Sequence, residues 1–321
     1  MLLFSLVPNP MWAQILVLIV GIVVVLKGAD FLTAGAVSLA SRMGIPQIVI
    51  GLTIVAMGTS MPEFFVSLMS AINGTPDLAV GNVVGSNIFN ALLIVGCAAM
   101  VAPITIQYAT VKKDIPFALV ASVVLMMMCL DSNISRLDAL VLLAMFAIFM
   151  MYTLKGAKQS AATEDAQPSG QPMGAVKAVL LMATGLVCLV FGSDVFVDNA
   201  SAVARSLGVS DAVIGLTIVA GGTSLPELAT SVVAARKGNS GIAIGNVLGS
   251  NVFNILMILG ITGLITPMNI AGITTVDLSM LVISMILLWL FSFTKYKIER
   301  WEGALLTVVF IGYMSYLLLN S

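Results

Sequence analysis

The chain contains one passage twice. GLTIVAMGTSMPEF at residues 51–64 returns as GLTIVAGGTSLPEL at 215–228, and AVGNVVGSNIFN at 79–90 returns as AIGNVLGSNVFN at 243–254. Both pairs are displaced by 164 residues, so each half carries the same two-part element with the same internal spacing. Any fold must place two equivalent elements, and each brings one carboxylate, Glu63 or Glu227, into apolar surroundings beside Pro, Thr and Ser.

Those surroundings are a membrane. The chain is 60% hydrophobic and 9% charged, against about 45–50% apolar residues in soluble domains. About 20 mostly apolar residues cross a hydrocarbon core. That length fits ten segments: 11–38, 46–72, 78–101, 112–130, 136–154, 175–204, 210–236, 242–265, 274–294 and 301–319. Between the fifth and sixth lies the one sustained polar stretch, 155–174, whose Pro, Gly and Ser content is that of a linker. It separates a first repeat, 1–154, from a second, 175–321.

Short-loop Lys and Arg set orientation. Arg42, Lys112, Lys113, Lys155, Lys158, Lys177, Arg236, Lys237, Lys295, Lys297 and Arg300 fall on one side, and Arg136 and Arg205 on the other. Both termini are therefore expected outside, with the linker cytoplasmic. Five crossings per half is an odd number, so the second half enters the membrane upside down. The expected fold is an all-α membrane protein of ten transmembrane helices in two inverted five-helix repeats, interrupted at the duplicated motifs. Transporters with this plan bind their substrate near the midplane, where the repeats meet.

Composition also excludes. A net charge of −1 with scattered Lys and Arg gives no nucleic-acid surface. The absence of His removes imidazole ligands and the usual general base. Cys97, Cys129 and Cys188 stand alone and read as small hydrophobes. The start, MLLFSLVPNPMWAQ, lacks a basic region and a cleavage site, so the first apolar run is expected to remain as a helix. The twenty Met read as lipid-facing or core filler, and Trp12 and Trp301 as interfacial aromatics.

Chemistry concentrates at the repeats. Thr59 and Ser60 precede Glu63 by four and three residues, and Thr223 and Ser224 precede Glu227 likewise, so on a helix their oxygens share one face. Pro62 and Pro226 lack the N–H for the preceding turn, which releases backbone oxygens there. Asn82, Ser86 and Asn90 are spaced by four, as are Asn246, Ser250 and Asn254, with Gly81, Gly85, Gly245 and Gly249 permitting close helix approach. Every candidate ligand is a hard oxygen. Calcium takes 6–8 such oxygens, whereas soft metals prefer sulfur or imidazole. A lone carboxylate in the bilayer costs several kcal/mol; two around one divalent cation sum to zero charge, and without a cation they share protons.

Other readings compete. Each Glu alone could be protonated helix-to-helix glue, and the Gly, Ser and Asn stripe could be packing only. Asp30, Asp194 and Asp198 read as structural or interfacial, with Lys27 placed to pair with Asp30. Asp77, Asp131, Asp138, Asp211 and Asp277 read as solvated charges at outward loops.

At GTSMPE 58–63, GTSLPE 222–227, GNVVGSNIFN 81–90 and GNVLGSNVFN 245–254 the chain resembles the cation/calcium exchanger superfamily, in particular its prokaryotic sodium/calcium exchangers. The resemblance covers the ten-segment layout. It implies ligands Glu63, Thr59, Ser60 and the Ala56 carbonyl; Glu227, Thr223, Ser224 and the Ala220 carbonyl; and Ser86, Asn90, Ser250 and Asn254. Some relatives have Asp where this chain has Asn90 and Asn254, which here leaves two formal charges. The short linker lacks the calcium-sensing domains of animal exchangers.

The expectation is therefore a multi-pass antiporter of a bacterial or archaeal plasma membrane, functional as a monomer. It exchanges sodium for calcium by alternating access at one shared site, with the first and sixth helices sliding as a gate. No cofactor is expected, and the partners are calcium, sodium and membrane lipid. A proton/calcium exchanger on the same scaffold is the alternative. A channel fits the inverted Pro-Glu motifs poorly, and no nucleophile-base pair points to an enzyme.

Overall fold

A computed structural model describes residues 7, 8, 10–160, 173–208, 218, 220–270 and 272–320, with the side chains of 157–160, 220 and 320 outside the description. The first apolar run is helix α1, Met11–Met43, which stops at Gly44. There φ is +62°, a conformation that Gly adopts without strain, and the Gly44 and Ile45 N–H groups take the last carbonyls. Next come α2 (Gln47–Thr59) and α3 (Met61–Ile72), bent by 47°. They are followed by α4 (Pro76–Val101), α5 (Thr110–Asp131) and α6 (Arg136–Ser160). The second half supplies α7 (Ala175–Ser206), α8 (Ala220–Thr223), α9 (Leu225–Arg236), α10 (Ser240–Ile265), α11 (Thr275–Ser292) and α12 (Arg300–Asn320).

Among the described residues eight helices are long and apolar enough to cross a membrane, or nine with α2 and α3 as one bent span. The span expected at 210–236 is described from Ala220 onward, and its beginning lies outside the described residues. The expected linker differs at its start, because α6 continues to Ser160; residues 161–172 lie outside the description.

Element boundaries repeat with the sequence. α1 and α7, α3 and α9, α4 and α10, and α6 and α12 each begin 164 residues apart, the separation also seen between Asn87 and Asn251. Even the π-helical turn recurs, at Phe89–Ile94 and Phe253–Ile258. Four two-residue strands, which the hydropathy pattern does not show, tie the halves together. β1 (Ile104–Thr105) pairs antiparallel with β4 (Lys297–Ile298), and β2 (Asn133–Ile134) with β3 (Met268–Asn269). The offset exchanges these two ribbons.

The repeated helices form the centre. Within the apolar windows of α4 and α10, 72% and 78% of residues are buried, against 22% and 17% in α6 and α12. The outer helices present large apolar side chains such as Met127, Leu140, Val187 and Val308 outward, as lipid contact requires.

α1 and α7 pack together antiparallel along small residues seven apart. A Cβ on Gly28 would lie 2.8 Å from the Gly185 carbonyl oxygen, one on Gly21 would lie 3.1 Å from that of Gly192, and one on Gly35 would lie 2.6 Å from that of Ala178. Contact at this range lets backbone meet backbone, the main source of helix association in lipid. In α10, Gly245 and Gly249 similarly admit α2, 2.8 Å from the Ile48 oxygen and 2.6 Å from the Ala56 Cβ.

Several charges differ from their expected roles. The carboxylate of Asp30 pairs with Lys237, at 2.7 Å, and not with Lys27, because the end of α9 lies against α1. Asp138 and Asp277 are helix caps that accept from Ser135 and Thr274, and Asp277 also accepts from the Tyr313 hydroxyl at 2.6 Å. Asp77 accepts from the Gly272 N–H and Asp131 from the Asn133 N–H. Asp77, Asp138 and Asp277 are thus partly or fully buried in caps and contacts, whereas Asp131 is exposed, as expected of a loop charge. Asp211 lies outside the described residues. The three Cys are free thiols, and Trp12 and Trp301 are exposed.

Gly28→Leu is expected to force α1 off α7, lowering the Tm of the detergent-solubilised protein by several degrees, since overpacking costs about 1–3 kcal/mol. Gly312→Ala, where no atom lies within 4 Å of a new Cβ, should leave Tm unchanged in the same fluorescence melt.

Candidate ion site at the helix breaks

Both duplicated motifs break their helix at Ser. Ser60 has φ −83° and ψ 7°, and Ser224 has φ −88° and ψ 6°, each followed by Pro in the first turn of the next helix. Pro suits that position because its missing N–H has no intrahelical acceptor there. Glu63 and Glu227 then occupy the first turns of α3 and α9, where helix N-termini favour negative charge. Both are buried, at 1% and 0% exposure.

The polar contacts cross between the halves. Ser60 Oγ donates to Glu227 Oε1 at 3.0 Å, and Ser224 Oγ donates to Glu63 Oε1 at 3.0 Å. Ser250 Oγ adds a bond to Glu227 Oε1 at 3.3 Å. Thr59, buried in the same motif, bonds instead to Asn246 Oδ1 of the other half at 3.0 Å. Each Ser is three residues before its own Glu yet binds the other, which places the two carboxylates face to face.

Asn82 and Asn246 act one layer back. Asn82 Nδ2 donates to the Glu63 backbone oxygen at 3.2 Å and to Ser67 Oγ at 2.9 Å; Asn246 Nδ2 donates to the Glu227 oxygen at 3.3 Å and to Ser231 Oγ at 3.0 Å. Their amides hold the glutamate-bearing turns and do not point between the carboxylates.

Asn90 and Asn254 approach from α4 and α10, both fully buried, and Ser86 and Ser250 are buried beside them. The Ala56 carbonyl accepts the Ser60 N–H at 3.0 Å, the helical bond from four residues ahead. Of Ala220 only the backbone is described, as the first residue of α8. Sequence reasoning missed Asn87 and Asn251, 0% and 1% exposed, which bond Asn254 and Asn90. Their signal lay inside the repeated GSN triplet, one residue beyond Ser86 and Ser250.

Among the described residues, four buried oxygens at this centre have no protein hydrogen-bond partner: Glu63 Oε2, Glu227 Oε2, Asn90 Oδ1 and Asn254 Oδ1. All are acceptors, and they form two repeat-related pairs. A buried acceptor without a partner costs about 1–3 kcal/mol, more when charged. The arrangement suits a ligand that donates positive charge to several oxygens at once. Asp30, Asp194 and Asp198 do not contribute to this set.

Residues 13–155 and 177–319 each match the family described as sodium/calcium exchanger protein. The chain belongs to the sodium/calcium exchanger family. Members are membrane antiporters, and this one is a cation/calcium exchanger by family. It is 38% identical over 309 residues to the inner membrane protein YrbG of Escherichia coli, spanning 94% of this chain and 95% of that one. It is 32% identical over 339 residues to the sodium/calcium exchanger MaX1 of Methanosarcina acetivorans, spanning 93% and 97%. A solved structure of the sodium-calcium exchanger NCX_Mj superposes with a TM-score of 0.82 at 32% identity, covering 94% of this chain and 98% of that chain.

In this exchanger Asn82→Leu and Asn246→Leu are expected to lower Tm to a similar degree, by a few degrees each, because each strips the amide from one glutamate-bearing turn. Matching shifts in thermal melts check that the two anchors are equivalent; a shift at one alone shows that they are not.

Proposed function

We propose that this chain exchanges sodium for calcium at one dianionic site shared by its two halves. The observation that carries the reading is the set of four unpartnered acceptor oxygens on Glu63, Glu227, Asn90 and Asn254. Calcium bound there meets charge −2 and hard oxygens, its preferred chemistry. Ser60, Ser224, Thr59, Thr223, Ser86 and Ser250 complete the shell, and the carbonyls of Ala56 and Ala220 join when their turns relax. Sodium ions compete for the same oxygens with less charge each.

The scaffold we infer is ten transmembrane helices in two inverted five-helix repeats, 1–154 and 175–321, joined by the linker 155–174. The antiparallel α1 and α7 and the exchanged ribbons support the inversion. The Lys and Arg bias supports both termini outside, and the name of the E. coli relative supports an inner-membrane location. The polypeptide acts as a monomer, with lipid around it and no cofactor.

α1 and α7 move as one gate against the core. α7 touches both helix breaks: Leu186 fills the space that a Cβ on Gly58 would need, 2.6 Å away, and Val197 does so at Gly222. A bound ion shifts such a gate by binding its two positions with different affinity. An empty dianionic site resists crossing the low-dielectric barrier, which couples the two fluxes.

In proteoliposomes an outward sodium gradient is expected to drive calcium-45 uptake, and Glu63→Gln or Glu227→Gln to reduce it at least a hundredfold. Unchanged flux in either variant sinks the assignment. Uptake driven by a pH gradient with sodium absent would instead identify a proton/calcium exchanger.

Acidification should act as competition, since a carboxylate that binds a proton no longer binds the cation. As pH falls, the KM for calcium rises while the maximal rate at saturating calcium holds. A fall in maximal rate with constant KM would place the inhibitory proton elsewhere.

A further inference from the structure

We propose that Asn87 and Asn251 are positioning residues of the exchanger: a crossed pair of amides that turns the carbonyl oxygens of Asn90 and Asn254 toward the ion. The proposal rests on the site assigned above. A primary amide is ambivalent, with an acceptor oxygen at one end and an NH2 donor of nearly the same shape at the other. Flipped, Asn90 or Asn254 would present hydrogens to a cation. Something must choose the end.

The choice is made across the repeat interface. Asn90 Nδ2 donates to Asn251 Oδ1 at 3.0 Å, and Asn254 Nδ2 donates to Asn87 Oδ1 at 3.1 Å. Each bond engages the donor end and leaves the oxygen end open, and Asn90 Oδ1 and Asn254 Oδ1 are the atoms of this network without a partner. The clamps are themselves oriented. Asn87 Nδ2 donates to the Asn251 backbone oxygen at 3.2 Å, and Asn251 Nδ2 donates to the Asn87 backbone oxygen at 3.4 Å. With their NH2 groups engaged on backbone, only their carbonyls remain to receive Asn90 and Asn254. Met285 Sδ also accepts from Asn251 Nδ2, at 3.4 Å.

The four side chains are at most 1% exposed, so no bulk water competes for these bonds. A buried amide network in a low-dielectric interior is stable in one polarity only, because reversing one amide sets donor against donor along the chain. Both clamps sit just before the π-helical turns that carry Asn90 and Asn254, so each half orients the ligand of the other.

The test uses calcium uptake by the full chain in proteoliposomes, with KM and maximal rate measured separately. Asn251→Ala is expected to raise the KM for calcium about tenfold with the maximal rate changed less than twofold. In an Asn90→Leu background, which has no amide left to orient, the same substitution should add less than twofold. In an Asn254→Leu background it should retain its tenfold effect. Equal increments in the two backgrounds, or a loss confined to maximal rate and Tm, would overturn the clamp while leaving the ion site standing. If Asn90→Leu and Asn254→Leu themselves leave KM unchanged, the site fails and the clamp with it. Should Asn251→Ala yield no folded protein, Asn87→Ala runs the mirror-image test, its effect vanishing in the Asn254→Leu background and persisting in the Asn90→Leu background.

Discussion

Two carboxylates buried opposite one another, Glu63 and Glu227, impose the condition that the rest of the structure meets. In an apolar interior neither can be left without hydrogen bonds or opposite charge. The structure bonds one oxygen of each to a serine of the other half, at 3.0 Å in both cases, and leaves the second oxygen open. Half-satisfied acceptors are unfavourable in a static core. They are suited to a protein that must release its ion as readily as it takes it up.

That condition explains the helix breaks. A continuous helix through Ser60 would keep Ser60 and Glu63 on one face and turn both toward the same neighbour. The 47° bend lets Ser60 reach across while Glu63 points inward from the next helix. Pro62 and Pro226 make the break inexpensive, because each sits where a helix needs no N–H. Asn82 and Asn246 then hold the glutamate-bearing turns by their backbone oxygens.

Around this centre the molecule divides into a tightly interlocked core and an outer pair, α1 and α7. Their contact uses glycines at seven-residue steps, which brings two long backbones together with Val25, Met182 and Val195 packed beside them. α7 in turn touches the core at the motif glycines Gly58 and Gly222. The ion pair of Lys237 with Asp30 is a further link between core and outer pair.

Much of this was legible beforehand. Apolar runs of membrane length located the described helices to within a few residues, and the repeat offset predicted equivalent elements in the two halves. Spacing brought Thr59, Ser60 and Glu63 into one patch, because helical neighbours are a local matter of three and four residues. Local spacing says nothing of which half a side chain will bind. The crossed serines, the pairing of Asp30 with Lys237 in place of Lys27 and the clamping role of Asn87 and Asn251 all depend on partners far away in the chain. Hydropathy and repetition, which are properties of the chain read in order, determined that this protein is a duplicated membrane bundle with two buried acids. Only tertiary contact between the two halves decided that each half completes the other's hydrogen bonds.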